Sequence, residues 1–320
     1  MEASENIDIE HVVVLGAGAI GSFYGTLLSR KIDVLLVGRR SHVDTINDGG
    51  LIVLGAIREV FHIRAVDELR SIHDKSLIIL ATKAQASEKA VGGIRHLLRP
   101  GARILILQNG LGNEELVKEL VSPDVEIIRG LCSSAVEFML PGEICVKHIR
   151  ETVLPRTPTG VRIKYLFDSC GLETRLSDEM NVEIWRKLTL NCVINPLTAI
   201  FRLPNNEIAS NSLRKVKSMI IRECIEVARV DGVNLGTVMV EEVDAAAASY
   251  SNLSSMCQDI LRGRKTEIDF LNGKISDLGR KHGVDTPAND VMVTFIRFME
   301  ARAPGMRRPS CRGASRISSG

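Results

Sequence analysis

The sequence predicts an α/β protein: a doubly wound parallel sheet at the N-terminal end, followed by an all-α domain. Three observations carry that expectation. Short apolar runs alternate with longer amphipathic ones from His11 onward, a glycine cluster closes the first apolar run, and strand-like runs give way to helical periodicity beyond Asp178. Short β-rich runs separated by helices are what parallel βαβ units require.

The runs HVVVLG, DVLLVG, LIIL, RILIL and EIIRGL are the expected parallel strands. Those at 76–81 and 103–107 are apolar almost throughout, as strands covered on both faces should be. Around 48–63 the pattern changes to DGGLIVLGAIREVFHI, where Asp48-Gly49 and Leu54-Gly55 are turn signals beside β-branched residues, predicting an antiparallel insertion after the second helix. Residues 133–177 read as further strands with a short helix near 161–169. Helical periodicity then covers 180–200, 211–231, 238–248, 256–282 and 288–301, with breaks expected at Pro196, Pro204, Gly232 and Gly283 to Pro287. The expected domains are 1–177, 178–302 and a basic tail, 303–320, whose Arg, Ser, Gly and Pro composition cannot build a core.

With 320 residues, 45% hydrophobic and 25% charged, the chain has the means to bury cores in two domains. Its 41 basic residues nearly balance 39 acidic ones, so no whole-protein field favours nucleic acid or an anionic membrane. No apolar run approaches the length that spans a bilayer, and residues 1–9 lack a basic then apolar leader, so a cytoplasmic protein is expected. Seven scattered cysteines without a C-x-x-C pair read as reduced thiols, and no metal site is expected.

Gly16-Ala17-Gly18-Ala19-Ile20-Gly21 falls where the first strand meets the first helix, which gives G-x-G-x-x-G its Rossmann mechanism. Gly16 allows the tight turn, Gly18 lets a pyrophosphate approach the backbone, and Gly21 lets helix and strand pack closely. The helix N-terminus supplies amide donors and positive dipole. At the end of the second strand, where an NAD-preferring domain usually carries an acid, the chain has Arg39-Arg40. A guanidinium can hold a 2′-phosphate that a carboxylate would repel, so NADP (as NADPH) is the expected cofactor, with NAD left open. Lys83 directly follows the LIILAT strand on the ligand side of the sheet, and Asn109-Gly110, a tight-turn signal after the fifth strand, lies on that side too. A surface lysine at 83 and a solvated Arg39-Arg40 loop are the plainer alternatives.

In IWRKLTLNCVINPLTAI, Lys187, Asn191 and Asn195 recur at i, i+4 and i+8, an amine and two amides on one helical face among apolar neighbours. A structural amide network and a ligand site both fit that row. Ser255 followed by Gln258 reads as a capping box opening a long helix, with Glu267 about three turns in.

These blocks together resemble the ketopantoate reductase family, from residue 11 to about 300. The matching segments are GAGAIG, TKA at 82–84, QNG at 108–110, G-x-C-x-x-A at 130–135, W-x-K-L-x-x-N-x-x-x-N-P at 185–196, and SSM-x-Q-D with TEID at 254–269. The resemblance implies a helical domain of the 6-phosphogluconate-dehydrogenase-like type and NADPH-dependent reduction of 2-dehydropantoate to (R)-pantoate, which feeds pantothenate and coenzyme A synthesis. It implies that Lys187 is the general acid and that Glu267 holds substrate and lysine in position. Asn109, Asn191, Asn195, Asn205 and Ser255 would line the substrate pocket. Gly16, Ala17, Gly18, Ala19, Ile20, Gly21, Arg39, Lys83, Asn109 and Glu267 would contact the cofactor. The small-molecule partner is a 2-oxo acid, with no nucleic acid and no membrane, and a homodimer is left open. With cofactor and lysine on different domains, an interdomain cleft that closes is expected. Where the family usually has a Gly-rich segment, this chain reads His148-Ile149-Arg150-Glu151-Thr152. Reduction of another 2-oxo acid or an imine, a non-catalytic NADP-binding sensor, and RNA binding by the arginine tail are the competing readings. Lys187 with Glu267 argues against the sensor, and the paired Asn residues with Ser255 favour a hydroxylated oxo acid.

Overall fold

In the computed structural model, which describes residues 9–302, the first apolar run folds as strand β1 (His11–Leu15). Helix α1 (Ala19–Leu28) leads to β2 (Asp33–Val37), which pairs with β1 in parallel, His11 opposite Asp33 and Leu15 opposite Val37. Helix α2 (Arg40–Gly49) precedes three short strands, β3 (Leu51–Gly55), β4 (Glu59–Phe61) and β5 (Arg64–Val66). Then come β6 (Ser76–Leu80), α3 (Ser87–Ile94), β7 (Arg103–Ile106), α4 (Asn113–Leu120) and β8 (Glu126–Arg129).

Six of these strands form one parallel sheet in the order β5-β2-β1-β6-β7-β8. Numbered by their own succession, that is 3-2-1-4-5-6, the doubly wound order, with its reversal between β1 and β6. The period-two alternation of a strand sorts its side chains between two cores. Val12, Val14, Leu77 and Ile79 enter one, and Val13, Leu15, Ile78 and Leu80 the other. Apolar-throughout runs therefore mark these central strands.

The rest of this unit comprises β9 (Leu131–Cys132), β10 (Ala135–Leu140), β11 (Glu143–His148), β12 (Thr152–Pro155), α5 (Pro158–Ser169) and β13 (Thr174–Ser177). The expected insertion is the antiparallel pair β3 and β4, but β3 also pairs in parallel with β11, giving a second sheet β10-β11-β3-β4. A third sheet runs β13-β12-β9. Helix α5 starts three residues before the expected 161, because Thr157 caps it by accepting from the Gly160 amide at 3.0 Å, with Pro158 in the first turn. The non-glycine segment after His148 is held by Ser134, whose hydroxyl accepts from the Arg150 amide and donates to its carbonyl, both at 3.0 Å.

The helical part contains α6 (Met180–Phe201), α7 (Arg214–Val230), α8 (Val240–Ala248), α9 (Ser255–Leu261), α10 (Asn272–His282) and α11 (Pro287–Arg302). Two compact units emerge, one running to Leu188 with Ala228–Gly236 and one comprising Thr189–Val227 and the chain from Thr237. Their division falls inside α6, whereas the change of composition lies at Asp178.

Two expectations are corrected here. Helix α6 continues through Pro196 and does not break there. The span 256–282 is not one helix: α9 ends at Leu261, and the amides of Gly263 and Arg264 turn back onto the carbonyls of Ile260 and Asp259. Gly263 has φ +62°, which L side chains rarely adopt, so the helix stops. The arginine-rich tail and Cys311 lie outside the described residues. The six described cysteines are free thiols. Among the described residues no helix is long and apolar enough to cross a membrane, and no group of His, Cys, Asp and Glu could hold a metal ion.

Candidate active site

The glycine loop sits at the switch point of the sheet. A Cβ on Gly16, at φ +109°, would lie 2.5 Å from the Thr82 amide nitrogen, so only glycine lets the loop after β1 pass the end of β6. A Cβ on Gly21 would lie 2.1 Å from the Gly16 carbonyl oxygen, which makes glycine the condition for α1 to pack on β1. Gly18 is different: no protein atom comes within 4 Å of where its Cβ would be. Its smallness serves nothing inside the protein and leaves open the approach to the first-turn amides of α1, those of Ala19, Ile20 and Gly21. Such amides lack intrahelical acceptors. A pyrophosphate fits this arrangement.

The second segment expected at the cofactor follows β2. Gly38 packs on Ala17, with 2.9 Å between a would-be Cβ and the Ala17 Cβ, and Arg39 then stands at the N-cap of α2. Both Arg39 and Arg40 are exposed, and Arg40 pairs with Asp67 at 3.8 Å. Beneath them His42 is buried; its Nδ1 accepts from the Gly142 amide at 2.8 Å. Burial, with the positive charge of Arg39 second, pushes His42 down to about 4, so it is neutral at physiological pH.

Lys83 is half-buried and starts a 3-10 turn, Ala84–Ala86, directly after β6. Asn109 follows Gln108 at the end of β7. The Gln108 side chain donates to the Thr82 carbonyl at 2.8 Å and the Ser87 hydroxyl at 2.7 Å, fastening the two segments together. Asn113 donates to the Asn109 carbonyl at 2.9 Å, and the buried Arg129 donates to the Gly110 carbonyl at 3.0 Å. Burial raises the Glu114 carboxyl while the Arg129 charge opposes it. The loops after β1, β6 and β7 thus converge at the C-terminal ends of these central strands.

Against the expectation that lysine and cofactor fall on different domains, Lys187 lies in the same compact unit as the glycine loop, because the division of the chain falls within α6, after Leu188. It is half-buried beside buried Trp185 and Leu188. Its Nζ donates to the Cys132 carbonyl at 2.5 Å. That carbonyl is fixed through the sheet: Cys132 faces Thr152 across β9 and β12, and the Tyr24 hydroxyl of α1 meets the Thr152 hydroxyl at 2.6 Å. Burial raises the Tyr24 phenol well above its usual range. Sequence reasoning missed Cys132, Thr152 and Arg129 as supports, since a carbonyl acceptor leaves no mark on residue type.

The helical unit holds Asn191, Asn195, Asn205, Ser255 and Glu267. Asn191 and Asn195 share one face of α6, Asn191 half-buried and Asn195 buried. Asn205 is buried with its Oδ1 lacking a hydrogen-bond partner, while its backbone N–H donates to the Asn252 backbone carbonyl at 3.0 Å. Asn252 Oδ1 is likewise buried and unpartnered, and sequence reasoning missed this residue. The cap of α9 is Ser254, not Ser255: Ser254 Oγ accepts from the Cys257 amide at 3.1 Å and from the Thr198 hydroxyl at 2.7 Å. Ser255 is the first residue of the helix, and it is exposed. Glu267 is not three turns into a helix; it precedes a 3-10 turn, Ile268–Phe270, and is half-buried. Its neighbour Thr266 is pinned by buried Glu300, which accepts from the Thr266 amide and hydroxyl, each at 2.7 Å.

A 3-2-1-4-5-6 sheet with a glycine turn at its reversal defines a dinucleotide-binding class of protein, and the amine of Lys187 beyond it fits the oxidoreductases of that class. Comparison with known proteins narrows this. The family profile described as Ketopantoate reductase PanE/ApbA matches residues 12–159, and that of its C terminal matches 179–300. The 2-dehydropantoate 2-reductase of Pyrococcus abyssi is 31% identical over 299 residues, covering 91% of this chain and 98% of its own. A PanE/ApbA family ketopantoate reductase from Ralstonia eutropha JMP134 has a crystal structure that aligns at TM-score 0.85 and 30% identity, over 92% of this chain and 99% of that one. D-mandelate dehydrogenase in ternary complex with NADH and anilino(oxo)acetate aligns at TM-score 0.82 and 28% identity, over 92% and 99%. The chain belongs to the ketopantoate reductase family, and with it to the NAD(P)-dependent oxidoreductases.

Proposed function

We propose that this protein reduces 2-dehydropantoate to (R)-pantoate with NADPH, the step that feeds pantothenate and coenzyme A synthesis. The observation that carries the reading is the row on α6: the Lys187 ammonium held by the Cys132 carbonyl, with Asn191 and Asn195 one and two turns on. In this reading residues 1–177 hold the cofactor and 178–302 most of the substrate contacts.

When bound, the nicotinamide supplies the hydride. Reduction of a ketone builds negative charge on its oxygen, which needs a nearby cation and a proton. Lys187 provides both, donating an Nζ proton to the oxo oxygen and returning to neutrality as the alcohol forms. Asn191, Asn195, Asn205 and Ser255 hydrogen-bond the carboxylate and hydroxyl of the substrate, and Glu267 holds substrate and lysine in position. The unpartnered Oδ1 of Asn205 supports a hydroxyl-bearing substrate, because a buried carbonyl oxygen is satisfied by an O–H donor. The Gly16 to Gly21 loop takes the pyrophosphate, Lys83 and Asn109 take further cofactor contacts, and Arg39 takes the 2′-phosphate. Exposure of Arg39 at the end of β2 supports NADPH over NADH.

The likeness to a D-mandelate dehydrogenase that binds NADH supports a second reading, an NADH-linked reductase of an aromatic 2-oxo acid. One assay separates them: oxidation of NADPH and of NADH with 2-dehydropantoate, phenylglyoxylate, and the hydroxyl-free controls pyruvate and 2-oxoisovalerate. NADPH-preferring turnover of 2-dehydropantoate alone is expected. Preference for phenylglyoxylate or the controls overturns the substrate assignment, and cofactor binding without turnover would revive the sensor.

A further inference from the structure

Proline at 196 leaves a gap in α6. It has no N–H, so the carbonyl four residues back, that of Cys192, loses its intrahelical donor. Cys192 is fully buried and lies between Asn191 and Asn195, and a buried carbonyl left alone is costly. The missing bond is made from elsewhere: Asn272 Nδ2, at the start of α10, donates to the Cys192 carbonyl at 2.9 Å. The same nitrogen donates to Asn289 Oδ1 at 2.9 Å. Both its hydrogens are thereby used on two acceptors, which fixes the orientation of the amide.

Asn289 is held in turn. Its Nδ2 donates to Glu223 Oε2 at 2.7 Å, and the same carboxylate accepts the amides of Ala288 at 2.8 Å and Asn289 at 2.9 Å, capping α11 from α7. Asn272 and Asn289 are fully buried, and Glu223 is 9% exposed. A carboxylate with three N–H donors is a satisfied anchor, while Asn272 Oδ1, at the other end of the relay, is buried without a partner.

We propose that Asn272 is a positioning residue for the active site: anchored by Asn289 and Glu223, it replaces the hydrogen bond that Pro196 cannot make and so fixes the turn of α6 that presents Asn191 and Asn195. This deepens, and rests on, the reading of those two asparagines as substrate contacts. Unlike a bond within the helix, the replacement ties the orientation of the Asn191 to Asn195 turn to α7, α10 and α11.

The test is a double-mutant cycle of Asn272→Ala and Pro196→Ala in the full-length protein. Alanine at 196 restores the N–H and gives Cys192 an intrahelical donor. Asn272→Ala alone is expected to raise KM for the oxo acid about tenfold and to lower the melting midpoint by about 5 °C, with NADPH affinity unchanged. In the Pro196→Ala background both losses should shrink to less than half. Should Asn272→Ala fail to fold, Asn289→Ala enters the same cycle one link further out. Additive effects on melting overturn the relay. Coupled melting with an unmoved KM overturns the positioning role and leaves a purely structural bond. If the parent protein reduces no 2-oxo acid, the functional reading fails with the positioning role, while the melting cycle still decides the bond between Asn272 and Cys192.

Discussion

Replacing Gly18 by alanine separates what the loop glycines do for the fold from what they do for a ligand. At Gly21 a Cβ would stand 2.1 Å from the Gly16 carbonyl oxygen and 2.9 Å from a Val14 methyl. Gly21→Ala must push α1 off β1, at a cost of about 1–3 kcal/mol. Gly16→Ala adds strain of order 1–3 kcal/mol, from a side chain at positive φ, to its clash with Thr82. At Gly18 neither applies: φ is −87° and no protein atom lies within 4 Å of the added methyl. Alanine accepts that backbone, and by narrowing the unfolded ensemble it stabilises by roughly 0.4–1 kcal/mol. About 1 kcal/mol moves the melting midpoint by roughly 2–4 °C in a domain of this size. Gly18→Ala should therefore melt at or slightly above the parent, and Gly21→Ala several degrees below it. Cofactor binding should move the other way, since the methyl occupies the approach to the amide end of α1. A tenfold rise in Kd, about 1.4 kcal/mol, is the expected minimum in a titration followed by NADPH fluorescence. If Gly18→Ala melted like Gly21→Ala, the open space would be false; an unchanged Kd would mean that the pyrophosphate approaches by another route.

Lys187→Ala should lower kcat by about 10²- to 10⁴-fold, the usual worth of a positioned proton donor, with NADPH affinity kept; a kcat within tenfold of the parent refutes the role. Arg39→Asp should lower the NADPH-to-NADH ratio of kcat/KM by roughly 10- to 100-fold, as expected for loss of a charge-assisted bond. An unchanged ratio would show that other residues read the 2′-phosphate. Acid stability is set in part by His42, whose folded value of about 4 lies below its ordinary 6.5. Between those values the unfolded chain binds a proton that the folded chain does not, so stability falls as pH drops from 6.5 to 4, by at most about 3 kcal/mol, and is untouched above that window. His42→Asn keeps an acceptor for the Gly142 amide and should flatten this slope in urea unfolding from pH 4 to 7; parallel slopes would assign the loss to carboxylates.

Much of the sheet was legible because a strand buried on both faces must be apolar where it is covered, and the LIIL run and the ILIL of RILIL are, with Arg103 only at the partly exposed start of β7. The glycine loop was legible for a related reason, since Gly21 is required by a clash inside one βαβ unit and Gly16 by the close passage of the loop past Thr82 at the end of the neighbouring β6. Pairings between distant segments were not, and β3 beside β11 is the example: hydrophobic alternation says that a strand has a covered face but not which strand lies next to it. Serine 254 and Serine 255 show a finer limit. Each is a hydroxyl at the start of a helical run, and the choice of cap is settled by the Thr198 hydroxyl 2.7 Å from Ser254, a partner supplied by another helix. The break expected at Pro196 failed for the same kind of reason. The rule that proline ends a helix assumes that the freed carbonyl stays alone, and Asn272 removes the assumption from eighty residues away.

Residue type does not separate asparagines that meet a ligand from those that hold the fold, and unused hydrogen-bonding capacity does so only in part, since Asn272 of the relay also keeps a buried Oδ1 without a partner. Asn289 spends both ends of its amide inside the protein, on Glu223 and Asn272. Asn205 keeps a buried Oδ1 with no partner. Folding takes that oxygen out of water without repayment from the protein, a cost that a donor on a bound molecule would cancel. That open capacity supports the proposed place of Asn205 at the substrate, whereas Asn289, with both ends of its amide used, belongs to the relay that holds α6.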